Sequence, residues 1–195
     1  MAVPGEPGIV PTELPRHVAI IMDGNRRWAR LHDRAEIEGH AAGVEAIRSE
    51  TAELRAQGVR IRLLGRLDEL PEATRTSIDA ALAETADGDR LLLNVAFNYA
   101  GRTELVDAFR RIVASGVKPE AIDETTIAES LYTAGLPDPD LVIRTGGEQR
   151  LSNFLIWQSA YAEFYSTEVL WPDFGAEAFD AALLEFARRT RRFGR

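Results

Sequence analysis

His17-Val-Ala-Ile-Ile-Met-Asp-Gly-Asn-Arg-Arg-Trp28 decides the fold. Its first half, HVAIIM, is a short apolar run, and Asp23-Gly24 interrupts it. That pattern predicts a buried strand entering a glycine turn. Outward from it, strands and helices alternate. A helix is expected from His40, with Val44, Ile47, Thr51 and Leu54 at helical spacing and Gly58 as its cap. VRIRLLG from Val59 is β-rich. A helix follows Pro71, and LLLNVAFNY from Leu91 is the most strand-like run. An amphipathic helix from Thr103 carries Leu105, Val106, Phe109, Ile112 and Val113, and a shorter helix starts at Glu124. LVIRTGGE from Leu141 is a strand ending in glycines. SNFLIWQSAYAEF from Ser152 reads as a helix, and YSTEVLWP from Tyr165 as a last strand closed by Pro172. Asp173 is expected to cap a final helix from about Gly175 to Arg192. Such alternation predicts an α/β fold, a parallel sheet flanked by helices.

Composition sets the limits. A chain of 195 residues with 45% hydrophobic content suits one domain with a real core, expected over residues 15–195. Residues 1–14, part of a proline-rich start, read as a flexible leader without signal-peptide features. No apolar run approaches the roughly 20 residues of a spanning helix. The chain has no cysteine, which removes disulfides, thiolate metal sites and a thiol nucleophile. These features point to the cytoplasm. A net charge of −8 argues against general nucleic-acid binding, so an anionic ligand needs a local cluster of cations.

Parallel sheets bind ligands beyond the carboxyl ends of their strands. Three such ends carry an arginine near a glycine: Asp23-Gly24-Asn25-Arg26-Arg27-Trp28, Asn98-Tyr99-Ala100-Gly101-Arg102, and Arg144-Thr145-Gly146-Gly147-Glu148. Glycine lets backbone N–H groups approach a ligand, and arginine forks match phosphate oxygens. The pattern points to a phosphorylated ligand. Asp23, the carboxylate among these cations, reads either as a turn residue or as a Mg2+ ligand shared with a diphosphate. A second metal ligand is sought in Glu148 or Glu163. A nucleotide-binding module is the alternative from another class, but neither GxGxxG nor GxxxxGK[ST] follows the first strand.

HVAIIMDGNRRWA, the Gly39-His40 pair, NVAFNYAGRTELV, GLPDPDLVIRTGGEQRLSNFLIWQSAYAEFY, VLWPDF and the terminal RRFGR resemble, in order, undecaprenyl diphosphate synthases, the bacterial cis-prenyltransferases. The resemblance implies that family's fold and its cis-condensation of isopentenyl diphosphate onto an allylic prenyl diphosphate. It also implies Mg2+, a homodimer, and a polyprenyl product that brings the protein to the inner membrane surface. Asp23 would be the catalytic aspartate and Mg2+ ligand, with Glu163 the second metal-associated carboxylate. Gly24, Asn25, Arg26, Arg27, Trp28 and His40 would meet the allylic substrate. Arg144, Arg150, Leu151 and Ser152 would hold isopentenyl diphosphate. Arg192-Phe193-Gly194 would reach across the dimer to the partner's site.

The chain departs from this pattern in two places. The family's YAFSTENW-like strand and two adjoining helices, on the order of 50 residues, have no counterpart where GVEAIRSE runs into TAELRAQGVR. Glu36 stands where the family has a phosphate-binding arginine, and Arg34 is two residues out of register to replace it. The shortened chain is therefore expected to be an enzyme making short products, an impaired homologue that binds diphosphates or partners a complete synthase, or the result of a misassembled reading frame.

Overall fold

The computed structural model describes residues 14–34 and 49–189. These residues form two compact units. One combines residues 14–34 with residues 137–189, and the other spans residues 49–136.

The first unit is built on strands β1 (Val18–Ile21), β4 (Leu141–Arg144) and β5 (Glu163–Ser166), in the order β1-β4-β5. Both pairings are parallel: Val18 lies beside Leu141 and Ile21 beside Arg144, while Leu141 lies beside Glu163 and Arg144 beside Ser166. Every residue of central β4 is buried, which explains the apolar run Leu141-Val142-Ile143 before Arg144. Helix α6 (Ala176–Arg188) turns Phe179, Ala182, Leu183 and Phe186 onto this sheet at spacings of three and four. Its partners include Leu141, Ile143, Val18, Ile20 and Tyr165. Helix α1 (Asn25–Leu31) follows directly on the Asp23-Gly24 turn.

The second unit pairs β2 (Val59–Leu64) with β3 (Leu91–Ala96), again in parallel. A helix covers residues 49–56 (α2) and another Glu72–Glu84 (α3). The core joins Ile61, Leu63, Ile78 and Phe97, with Leu54, Leu67, Leu70, Leu82 and Val95 packed around them. Gly58 has φ +74°, the left-handed conformation expected of a helix-ending glycine. Helices α4 (Gly101–Ala114) and α5 (Glu124–Ser130) complete the unit. Asp123 caps α5 by accepting the Thr126 N–H at 2.8 Å, and that bond holds its carboxyl below the usual range.

Among the described residues all strand pairings are parallel, as the alternation predicts. Three local expectations fail. SNFLIWQSAYAEF is not a helix. Ser152, Asn153 and Leu155 have φ of +48°, +66° and +42°, and residues 152–161 form successive turns. The last strand starts at Glu163 rather than Tyr165, and Val169 to Pro172 lie outside it. Asp173 does not cap α6; Gly175 occupies that position. On α4 the inward face carries Glu104, Ala108 and Ile112, leaving Val106, Phe109 and Val113 exposed. Burial of Glu104 is tolerated because its carboxylate accepts the Tyr99 hydroxyl at 2.5 Å and the Tyr132 N–H at 2.8 Å.

Candidate active site

Chain connectivity places Asp23 just past the end of β1, beside the residues that leave β4. Its carboxylate is held on both oxygens. Oδ1 accepts the Gly24 N–H at 2.6 Å, and Oδ2 accepts Arg144 Nη2 at 2.8 Å. Arg27 Nη2 stands 3.8 Å from Oδ1 and donates to the Gly146 carbonyl at 2.5 Å. The Arg144 hydrogen bond, then the Gly24 amide and the two positive charges, outweigh burial and hold the Asp23 carboxyl below the usual carboxylate range. It is an anion at neutral pH.

Arg144 ties three segments together. Its side chain is 5% exposed. Beyond Asp23 it donates from Nη1 to Ser152 Oγ at 2.6 Å and to the Arg150 carbonyl. The left-handed backbone at Ser152 turns this loop back toward the guanidinium. Arg150 pairs with Glu148 and keeps a side chain that is 62% exposed. Arg144, Arg150 and Ser152 are thus adjacent, with Leu151 between the latter two.

Gly24 is required by close approach. It has φ +103°, and a Cβ there would lie 2.8 Å from Leu170 Cδ2 and 3.1 Å from Leu170 Cα. The VLWPDF segment therefore supports the turn: Leu170 packs on Gly24, and the Trp171 N–H donates to the Asp23 carbonyl at 3.0 Å. Trp28 belongs to the same support. Its indole N–H donates to Asp173 Oδ1 at 2.8 Å and its ring stacks on His32 at 4.2 Å. The Arg34 guanidinium lies 5.6 Å from the Trp28 ring centre. Asn25 and Arg26 are exposed in the first turn of α1.

Glu163 is not brought to Asp23. It begins β5, level with Leu141 and hence with Val18, whereas Asp23 lies beyond Ile21. Five residues of extended chain separate the two levels by on the order of 15 Å. Glu163 instead accepts Arg189 Nη1 at 3.2 Å. The structure thus places Glu163, expected as a metal-associated carboxylate, at a different level of the sheet from Asp23. His40 and Glu36, with Arg192, Phe193 and Gly194, lie outside the described residues.

The third arginine-bearing strand end belongs to the second unit. There Asn98 donates to the Arg66 carbonyl at 2.9 Å and to Glu69 at 3.2 Å. Arg66 grips Asp107 through Nε and Nη2 at 2.8 and 2.9 Å, and Tyr132 donates its hydroxyl to Asp107 at 2.5 Å. This end is closed by its own ion pairs, while Arg102 is exposed at the start of α4.

Among the described residues, no group of three or more His, Asp or Glu side chains is arranged to hold a metal. The donor set nevertheless fits Mg2+, which commonly takes one or two carboxylates and completes its shell with substrate phosphates and water. Asp23 supplies one hard anionic oxygen donor beside two arginines suited to phosphate.

Residues 46–194 match the family Prenyltransf, described as "Putative undecaprenyl diphosphate synthase". An isoprenyl transferase of Heliobacterium mobile is 41% identical, covering 95% of this chain and 90% of that protein. The chain belongs to this prenyltransferase family. Two solved structures of the family's kind align with it. A lavandulyl diphosphate synthase from Lavandula x intermedia, in complex with dimethylallyl diphosphate, is 32% identical with a TM-score of 0.86, over 93% of this chain and 99% of that one. A probable undecaprenyl diphosphate synthase from Campylobacter jejuni is 28% identical with a TM-score of 0.78, over 94% of this chain and all of that one.

The comparison also leaves part of the Heliobacterium mobile relative without a counterpart here. The match to the Heliobacterium mobile protein runs over 233 positions, against the 195 residues of this chain, so at least 38 positions inside it have no counterpart here. The family match begins at residue 46, just before the Glu50-Thr51 junction where the missing strand and helices were expected.

The structure brings together Asp23, Arg27, Arg144, Arg150 and Ser152, all singled out in the sequence from strand ends or from the family resemblance. Thr145 and Leu170, which touch the Asp23-Gly24 turn, are not singled out there. Apolar and β-branched residues next to a glycine turn carry no signal of their own in one sequence.

Proposed function

We propose that this chain performs the family's prenyl transfer as a cis-condensation, joining isopentenyl diphosphate to an allylic prenyl diphosphate to give a polyprenyl diphosphate for lipid-carrier synthesis. The observation that carries the reading is Asp23, held anionic at a strand end between Arg144 and Arg27. Family membership supplies the chemistry.

In this proposal the turn from Gly24 to Arg27 receives the allylic diphosphate. Arg27 steadies the leaving diphosphate as negative charge builds on it, the kind of preorganised stabilisation that lowers barriers most. Exposed Arg150 receives isopentenyl diphosphate, with Arg144 and Ser152 fixing the loop that presents it. Trp28 holds α1 in place beside the substrate. His40 adds an allylic contact. Mg2+, bound by Asp23 and substrate phosphates, would neutralise diphosphate charge and aid its departure. A homodimer would bring the Arg192-Phe193-Gly194 tail to the partner's site, and Glu163 would serve a metal only in such an assembly.

Residues 15–195 would act as one catalytic domain, in the cytoplasm. No helix among the described residues is long and apolar enough to cross a membrane, and the product's hydrophobicity would bring the protein to the inner membrane surface.

The test is incorporation of labelled isopentenyl diphosphate onto farnesyl diphosphate, with and without Mg2+. Wild type is expected to extend the primer when Mg2+ is present, and D23N is expected to fail. The gap of at least 38 positions favours a second reading, a homologue that binds diphosphates without completing the reaction. That reading wins if only a version with the missing elements restored extends the primer.

A further inference from the structure

We propose that Thr145, a residue to which the readings above give no role, is the positioning residue that sets the Asp23-Gly24 turn. The inference rests on Asp23 being the centre of the site, as proposed above. Thr145 is fully buried. Its hydroxyl donates to the Asp23 carbonyl at 2.7 Å and accepts the Asp23 N–H at 2.9 Å. One proton and two lone pairs permit both bonds at once. The hydroxyl thereby closes a small ring with the amide and carbonyl of a single residue.

That ring controls a mechanically awkward point. The Asp23 N–H otherwise reaches only back to the Ile21 carbonyl, at 3.0 Å in a three-residue turn. The next residue, Gly24, is left-handed and already in contact with Leu170. Rotating the Asp23-Gly24 peptide would swing the carboxylate relative to Arg27 and Arg144. Arg144 grips the Asp23 side chain and its neighbour Thr145 grips the backbone, so consecutive residues of one strand end fix both halves of Asp23. Small misplacements of a reacting centre cost rate steeply, and such sites depend on the shell behind them.

Thr85 supplies a matched control. It too is fully buried, and its hydroxyl accepts the Ile61 N–H at 3.2 Å while donating to the Ala81 carbonyl at 2.9 Å, within the second unit. The experiment compares wild type, T145V, T145S and T85V by three measurements. These are thermal melting, hydrogen exchange of a peptide covering residues 18–28, and calorimetric binding of inorganic pyrophosphate with Mg2+. T145V should exchange faster at Asp23 and Gly24 and bind pyrophosphate at least about ten-fold more weakly. T145S should stay near wild type in both. T85V should lose stability with unchanged pyrophosphate binding. Should T145V not fold, T145A removes the hydroxyl with less apolar bulk against the exposed polar groups. The proposal is overturned if the hydroxyl-free variant keeps wild-type exchange at Asp23 and Gly24. It is equally overturned if T145S fails alongside it, or if T85V weakens binding as much. Wild type failing to bind pyrophosphate would sink the proposed function, while the exchange measurement would still judge Thr145.

Discussion

Replacing Arg144 with methionine keeps an unbranched apolar stem and removes the guanidinium that joins Asp23, Ser152 and the Arg150 carbonyl. Losing one partner of a fully buried ion pair costs about 3–5 kcal/mol. The Asp23 side chain is 34% exposed, so water compensates part of its lost partner. A loss of about 2–3 kcal/mol follows, which for a chain of this size is a fall in Tm of roughly 5–10 °C. The pH dependence identifies the cause. In the folded protein the Asp23 carboxyl is held low by Arg144 first and the Gly24 amide next. A lowered folded pKa stabilises above the unfolded carboxylate value of about 3.9 and stops doing so as pH falls through the folded value. The gap between wild type and R144M should therefore be full at neutral pH and shrink as pH drops below about 4. Denaturant titrations at a series of pH values measure it. A gap of the same size at every pH would refute the ion pair as the source and leave packing alone.

Three further outcomes are expected. D107N leaves Arg66 and Tyr132 without their anionic partner, which should cost about 1–3 kcal/mol by chemical denaturation; an unchanged midpoint would count against that network. G65A should be the most damaging single methyl. Gly65 has φ +137° and a Cβ there would lie 2.0 Å from the Phe97 carbonyl oxygen, so a loss above about 3 kcal/mol or failure to accumulate as folded protein is expected. W28F keeps the ring stack and deletes the N–H donated to Asp173, which should lower stability by about 1 kcal/mol in thermal melts; a much larger loss would mean the indole does more than tie α1 to Asp173.

Much of this molecule was legible in its sequence, and the failures share a cause. β4 announces itself because a strand buried on both faces must be an apolar run, and β1, β2 and β3 because each is a short apolar or β-rich stretch. Asp23 is conspicuous because a charged residue breaks such a run. The segment from Ser152 misleads because its apolar residues fall at helical intervals, whereas its backbone is left-handed at Ser152, Asn153 and Leu155 and Arg144 holds its start through the Arg150 carbonyl and Ser152 Oγ. Glu163 looks like a companion of Asp23 in a linear motif. Only the pairing register, Leu141 beside Glu163, reveals that the two carboxylates face opposite ends of the sheet. Propensity and periodicity are local, and these positions are decided by partners far along the chain.

That separation has a consequence for how the protein is made. The bond from the Asp23 amide to Thr145 spans 122 residues, and among the described residues β1 pairs with β4 alone. At roughly 5–20 residues per second of synthesis, β1 leaves the ribosome about 6–24 s before its partner strand exists. The whole second unit, residues 49–136, emerges in that interval. An apolar strand stays unpaired on the nascent chain throughout, a natural client for a holding chaperone.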